Sequence, residues 1–178
     1  MYRTIQILLV VLLGVIFASC KGKENPSKGV KWTKKQSTEF NKNIVIEEEL
    51  QIRMFLANRK WKVQKTGSGL RYYIYKHGEG DSARADMHAE VRFKINQLDG
   101  TFCYQTDSLE TETFRIDHSD VESGVQEGIK KMRVGDKAKL IIPSHLGHGL
   151  TGDMDKIPPL TVLVIDLELV SLKRNARK

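Results

Sequence analysis

Two histidines and two aspartates cluster in the last third of the chain, at a spacing that could support metal binding. His145 and His148 are separated by two residues, and Asp153 and Asp155 follow closely. Imidazole and carboxylate groups are common metal ligands. The cluster lacks further ligands at the spacing of zinc sites, and the aspartates do not complete a calcium-binding loop. We therefore expect no metal and no cofactor, and we assign both aspartates to a solvated turn.

The first of two cysteines follows a leader sequence. Arg3 precedes an apolar run over residues 5–17, and Ala18 and Ser19 come directly before Cys20. An apolar run this short is typical of a secretory signal rather than of a spanning helix. Small residues before a cysteine resemble the lipobox of bacterial lipoproteins, which implies that Cys20 carries lipids in the mature protein. The alternative is an ordinary signal peptide in which Cys20 is incidental.

The second cysteine, Cys103, lies between Phe102 and Tyr104. This apolar and aromatic setting favours a packed side chain over a nucleophile. If Cys20 is lipidated, the mature domain has no internal disulfide, although its compartment is oxidising.

The chain has 178 residues and a formal net charge of +7. A basic balance is compatible with nucleic acid, with an anionic membrane or with solubility alone. An exported chain does not meet nucleic acid, and the aromatic residues are patterned as core rather than as a stacking platform. The lysines that follow Cys20 instead predict a solvated spacer near the bilayer.

Apolar residues at helical spacing predict a helix from Ser37 to about Asn58. Ser37 and Thr38 are its candidate N-caps. Its apolar stripe comprises Phe40, Ile44, Met54 and Phe55. Because such a stripe must be buried, we expect the helix to pack on the following domain or on a second copy, as a homodimer.

Short segments rich in β-branched and aromatic residues follow a breaker at residues 66–69. Strands are predicted at 70–75, 90–98, 101–106, 113–116, 137–142 and 160–172, with a helix at 123–132. Several strands around one short helix predict an α+β domain with an antiparallel sheet. The expected organisation is a signal peptide at 1–19, a tether at 20–36, a helical extension at 37–65, the main domain at 66–173 and a basic tail at 174–178.

Five short motifs occur in order along the main domain. They lie at residues 69–73 with 78–80, 91–93 with 98–101, 124–129 with 132–138, 142–149, and 157–159 with 163–169. Together they resemble the FKBP family of peptidyl-prolyl isomerases, over about residues 67–172. The resemblance implies an FKBP-like antiparallel sheet wrapped around one short α-helix, and an enzyme that isomerises peptide bonds preceding proline.

The leader ending in Cys20, the helix before the domain and the run 152–157 are more similar to the FKBP-type lipoproteins associated with gliding motility in Bacteroidetes. That similarity implies a lipid-anchored protein of the bacterial cell envelope. It also implies a role in folding exported or surface proteins, so that the expected partners are proline-containing polypeptides and the membrane.

The FKBP resemblance also implies an apolar slot for the proline ring. Its expected lining is Phe93, Cys103, Tyr104, Phe114, Val121, Val125, His148, Ile157 and Ile165. Glu122 is expected to offer its backbone N–H to the peptide, so that its side chain matters less. Five residues depart from the family pattern: Cys103 for Phe, Tyr104 for Asp, Val125 for Trp, His148 for Tyr and Ile165 for Phe. These changes make the slot shallower and remove one carboxylate, although Tyr104 and His148 could still donate to a carbonyl.

Such a slot needs no acid, base or nucleophile. Resonance in the amide gives rotation a barrier of about 20 kcal/mol, and the planar amide is more dipolar than the twisted one. An apolar slot therefore disfavours the planar ground state. We expect a peptidyl-prolyl isomerase whose catalytic activity is lowered by the substitutions in the slot. The alternative is a chaperone that grips apolar segments on the same fold without useful catalysis.

Lipidation of Cys20 gives the first prediction. Radiolabelled fatty acid should enter the wild-type protein expressed in a bacterium and should not enter Cys20→Ala. Cys103→Ala is the matched control and should label like the wild type. Equal labelling of Cys20→Ala and wild type would contradict the lipoprotein interpretation.

Overall fold

The structure is a computed structural model, and it describes residues 32–107 and 109–174. The predicted signal peptide, Cys20 and most of the predicted tether lie outside these residues. The chain divides into two compact units, residues 1–37 and 38–178. Neither helix in the described ranges is long and apolar enough to cross a bilayer.

The described end of the first unit contains the start of a helix. The backbone N–H of Thr33 donates to Gln36 Oε1 at 2.9 Å, and the N–H of Gln36 donates back to Thr33 Oγ1 at 3.3 Å. This reciprocal pair is a capping box. The helix therefore begins at Lys34, before the predicted caps Ser37 and Thr38.

Two helices and seven strands make up the fold of residues 32–107 and 109–174. In chain order they are α1 (Lys34–Ala57), β1 (Gln64–Lys65), β2 (Arg71–Lys76), β3 (His88–Gln97), β4 (Phe102–Gln105), β5 (Glu112–Arg115), α2 (Ser123–Ile129), β6 (Lys137–Ile142) and β7 (Leu163–Lys173). A short 3₁₀ helix, Ser144–Leu146, follows β6. The sheet has the order β1-β2-β6-β7-β3-β4, with β5 also paired to β3, and every pairing is antiparallel. The predicted α+β class and the antiparallel sheet around a short helix are confirmed.

Helix α2 lies against β6 at a distance that only glycine permits. A Cβ on Gly124 would stand 2.5 Å from Cγ2 of Ile142, and one on Gly128 would stand 2.7 Å from Cδ1 of Leu140. Glycine inside a helix costs about 1 kcal/mol relative to alanine. The cost is offset by the contact that α2 makes with the apolar core, which includes Val125.

Helix α1 buries a different face from the one predicted. Ile52 is 1% exposed and packs in a small cluster with Ile141 and Val162, whereas Met54 is 64% exposed. Glu48, one turn before Ile52, is buried as well. Because Glu48 is polar, the sequence did not identify the buried face of α1. The predicted apolar stripe was therefore wrong at Met54 and also at Phe40, which is exposed.

The position of α1 is also fixed by charge. The carboxylate of Glu49 accepts hydrogen bonds from the buried guanidinium of Arg71 and from Lys65 Nζ, the latter at 2.9 Å. These bonds, the one from Arg71 above all, lower the pKa of Glu49 to about 2. The amino end of the second unit is therefore tied to the sheet through β1 and β2.

The packing of α1 gives a matched pair of variants. Ile52→Ala should lower the free energy of unfolding by about 2–5 kcal/mol, because it opens a cavity between α1 and β6. Met54→Ala, two residues away on the exposed side, should change it by less than about 0.5 kcal/mol at a protein concentration where the chain is monomeric. Denaturant titrations of both variants measure the difference. Equal effects would contradict the observed helix phase.

Candidate active site

A cavity of about 440 Å³ opens between α2, the sheet and the loop that follows the 3₁₀ helix. Eight of the residues predicted for the slot line it: Phe93, Tyr104, Phe114, Val121, Glu122, Val125, His148 and Ile165. Val91, Ile95 and Leu167 extend its apolar wall and were not predicted. The interior is thus built by inward-facing residues of β3, β5 and β7, with Val125 of α2 among its buried apolar side chains.

Two residues predicted for the slot do not line the cavity. Cys103 is fully buried in the core, where burial raises the pKa of its thiol. It precedes Tyr104 on β4, and successive residues of a strand point to opposite faces, so the two side chains do not share the slot. Ile157 is also buried in the core. Its backbone N–H contributes to the site instead, by donating to Asp153 Oδ1.

Tyr104 is held at the cavity by a carboxylate from another part of the chain. Its hydroxyl donates to Asp153 Oδ2 at 2.5 Å, and Asp155 Oδ2 lies 3.2 Å away. The bond to Asp153 raises the pKa of Tyr104 to about 12. Since a phenol has one proton, Tyr104 is not free to donate to a substrate carbonyl, contrary to the expectation from sequence.

Asp153 organises the loop that brings it to the cavity. Its Oδ1 accepts the backbone N–H of Asp155 at 2.9 Å and of Ile157 at 2.8 Å. Burial alone would raise the pKa of Asp153, but the bonds from Tyr104 and these two N–H groups outweigh it and lower the pKa to about 2. Asp153 therefore belongs to a turn, but its carboxylate is half-buried and bonded to Tyr104 rather than solvated. An aspartate bonding the N–H two residues on is a common turn signal, which the sequence contained.

Glu122 and His148 face each other across the cavity mouth. The distance from His148 Nε2 to Glu122 Oε1 is 3.0 Å. The side chain of Glu122 therefore joins α2 to the loop after the 3₁₀ helix, whereas the sequence had given it little importance. His145, the other member of the histidine pair, instead contacts the carbonyl oxygen of Ser68 at 2.9 Å.

The backbone N–H of Glu122 is a further polar group at the mouth. Glu122 is the N-cap residue of α2, and its carbonyl accepts from Val125 and Gln126. Within residues 32–107 and 109–174, no hydrogen bond takes up its N–H. An apolar cavity with one such donor at its edge suits a peptide carbonyl beside an apolar ring.

Residues 79–170 match the family model described as FKBP-type peptidyl-prolyl cis-trans isomerase. This match covers just over half of the chain. The chain belongs to the FKBP-type peptidyl-prolyl cis-trans isomerase family.

Relatives and solved structures agree with this assignment. The chain is 36% identical over 112 residues to the FKBP-type isomerase FkpA of Buchnera aphidicola, covering 62% of this chain and 44% of that protein. It is 31% identical over 171 residues to the macrophage infectivity potentiator of Trypanosoma cruzi, covering 93% of this chain and 83% of that protein. The crystal structure of FkpA from Escherichia coli matches with a TM-score of 0.65 and 29% identity, over 79% of this chain and 66% of that one. The chain of this FKBP-family member spans about half the length of the FkpA relatives.

The carboxylate of Asp153 in this FKBP domain predicts how the stability of the domain depends on pH. A carboxyl whose pKa falls from about 4 in the unfolded chain contributes stability that is present above that pH and is lost as the pH falls towards about 2. Asp153→Asn should therefore lower the melting temperature at pH 7, and the difference from wild type should shrink between pH 4 and pH 2.

Asp155→Asn is the matched control, because it removes the same charge from the same loop without removing the bonds to the N–H groups of Asp155 and Ile157. It should melt close to the wild type at both pH values. A constant difference for Asp153→Asn across this range would show that its carboxylate is not what stabilises the loop.

Proposed function

We propose that this FKBP domain isomerises peptide bonds preceding proline in exported or cell-envelope proteins. The observation that carries the proposal is the apolar cavity of about 440 Å³ with a backbone donor at its mouth. A proline ring is an apolar group that such a cavity accommodates. The N–H of Glu122 is placed to hold one carbonyl of the bound peptide while the neighbouring amide rotates.

Catalysis follows from desolvation in this proposal. The walls around the bound amide are aromatic and aliphatic, contributed by residues such as Phe93, Phe114 and Ile165. Removal of water destabilises the dipolar planar amide more than the twisted one, which lowers part of the barrier of about 20 kcal/mol. Neither a proton transfer nor a covalent intermediate is required.

The polar groups at the rim have a supporting role. The Tyr104 hydroxyl donates its hydrogen bond to Asp153, so only its oxygen is available to a peptide, as an acceptor. The family's carboxylate at position 104 is thus replaced by a tyrosine with a carboxylate behind it. This arrangement fixes the Tyr104 ring against the cavity, and we assign it a part in shaping the slot.

The location follows from residues that precede the domain. Under this proposal, residues 1–19 are a signal peptide, Cys20 carries lipids, and residues 20–36 lead to the helical extension at 37–65 and the FKBP domain at 66–173. The resemblance to lipoproteins associated with gliding motility supports a place in the bacterial cell envelope. The lipid would hold the cavity close to proteins folding at that membrane.

A homodimer through α1 belongs to the same proposal. Ile46, Leu50 and Met54 follow one another at intervals of four residues and are 58%, 55% and 64% exposed. Residues four apart lie on one face of a helix, so the three form a continuous apolar stripe. A second copy of α1 would cover it.

An isomerisation assay on a prolyl tetrapeptide tests the function. Phe93→Ala should lower kcat/KM by about ten-fold, equivalent to about 1.4 kcal/mol of transition-state binding. Phe102→Ala makes the same change at an exposed ring that does not line the cavity, and it should leave kcat/KM unchanged. Val125→Trp should raise kcat/KM by enlarging the apolar floor, provided that the indole does not overpack α2.

A folded wild-type protein without any rate above background would overturn the enzyme proposal. The small floor at Val125 is the observation that favours the alternative, a binding protein with little catalysis. That alternative predicts suppression of aggregation of an unfolded client by the wild type and loss of suppression in Phe93→Ala.

A further inference from the structure

Helix α1 carries a buried carboxylate that the cavity itself does not use. Glu48 is 5% exposed, and its Oε2 accepts the backbone N–H of Ser144 at 3.1 Å. Its other oxygen, Oε1, is buried and has no hydrogen-bond partner in the described part of the chain. A buried carboxylate with one donor is costly, and an apolar side chain beside Ile52 would avoid that cost.

The donor to Glu48 is the first residue of the loop at the cavity mouth. Ser144 is buried, and its carbonyl accepts the N–H of Gly147 at 3.0 Å and of Gly149 at 2.8 Å. His148 lies between these two glycines. The position of Ser144 therefore sets the position of both neighbours of His148.

Hydrogen bonds continue from this loop to the cavity. His148 Nε2 is 3.0 Å from Glu122 Oε1, and the carbonyl of Leu146 accepts from the Ser123 hydroxyl at 3.1 Å. Glu122 and Ser123 begin helix α2, which also carries Val125. A connected series of contacts thus runs from α1 through Ser144 to the mouth of the cavity.

Packing between α1 and the loop is incomplete beside this series. A cleft of about 290 Å³ separates them, with Ile44 and Val45 of α1 on one side and Ser144, His145 and Gly149 on the other. Side-chain packing across an open cleft restrains a loop poorly. The bond from Ser144 to Glu48, which is buried, is better placed to fix the loop.

We propose that Glu48 is a positioning residue for the active site, whose carboxylate holds the Ser144–Gly149 loop so that His148 meets Glu122 at the cavity mouth. Its catalytic consequence rests on the proposed isomerase function, and its structural consequence does not. The helical extension is then part of the working site rather than a spacer. A misplaced rim reduces catalysis because small displacements of positioning groups cost large factors in rate.

Variants of the full chain at position 48 test the proposal. Glu48→Leu removes the acceptor and should lower kcat/KM on a prolyl tetrapeptide by about ten-fold, at a temperature where the variant is folded. Glu48→Gln keeps an acceptor oxygen and should stay within about three-fold of wild type. Glu47→Leu, an exposed neighbour on the same helix, should leave kcat/KM unchanged.

Amide hydrogen exchange gives a readout that does not depend on catalysis. The N–H groups of Ser144 and Gly149 should exchange at least about ten-fold faster in Glu48→Leu than in wild type, and those of Gly147 should follow. Glu47→Leu should leave all three unchanged. An inactive wild type would contradict the proposed function. The exchange rates would still show whether Glu48 holds the loop.

A second variant covers the case in which Glu48→Leu does not fold. Ser144→Pro removes the donor N–H itself at the first residue of the 3₁₀ helix, where proline is tolerated, and Pro143 already has the extended ψ of 153° that a following proline requires. It should reproduce the loss in kcat/KM. Wild-type kcat/KM in folded Glu48→Leu or in Ser144→Pro, or unchanged exchange at Gly149 in either variant, would overturn the proposal.

Discussion

The close contact of helix α2 with strand β6 is the constraint on which the site depends. Gly124 and Gly128 remove the side chains that would hold α2 away from Ile142 and Leu140. The next residue after Gly124 is Val125, so the same contact that docks the helix also sets the depth of the cavity. Glu122, at the start of the helix, is brought to the mouth with its N–H unpaired by the described residues. A longer side chain at either glycine would move the floor and the donor together.

The cavity rim is held by three hydrogen-bonded groups from separate parts of the chain. Tyr104 is fixed by Asp153, His148 is paired with Glu122, and Ser144 is bonded to Glu48. Each bond joins residues more than twenty positions apart, so the rim is a product of the tertiary fold. The two polar substitutions at the slot, Tyr104 and His148, are therefore each positioned by a hydrogen-bonded contact to a distant carboxylate.

Much of the fold could be predicted from the sequence because alternation in strands is a local property. Strand β6 was predicted at its observed bounds, 137–142. The same alternation predicts that Cys103 and Tyr104, which are neighbours in one strand, point to opposite faces and do not both face the slot. The family motifs also predicted eight residues that line one cavity, because chains that share the order and spacing of these motifs share the same three-dimensional arrangement.

The remaining features depend on contacts between distant residues and could not be predicted from local pattern. A buried Glu48 looks like a solvent-facing residue in sequence, so the buried face of α1 was placed on Met54 instead of Ile52. Asp153 has the spacing of a turn residue, and nothing near it in sequence indicates Tyr104 as its partner. Polar groups that act across the fold are recognised only when the fold is known.

The most direct test of the central claim measures the isomerisation of a peptide and its binding site in one experiment. NMR exchange spectroscopy of a prolyl tetrapeptide, titrated with the isotope-labelled protein, reports cis–trans exchange and the binding site together. The account predicts faster exchange of the peptide, with shift changes at the Val125 methyl groups and the Glu122 backbone N–H. Accelerated exchange with both signals unmoved, or binding at this cavity without acceleration, would contradict it.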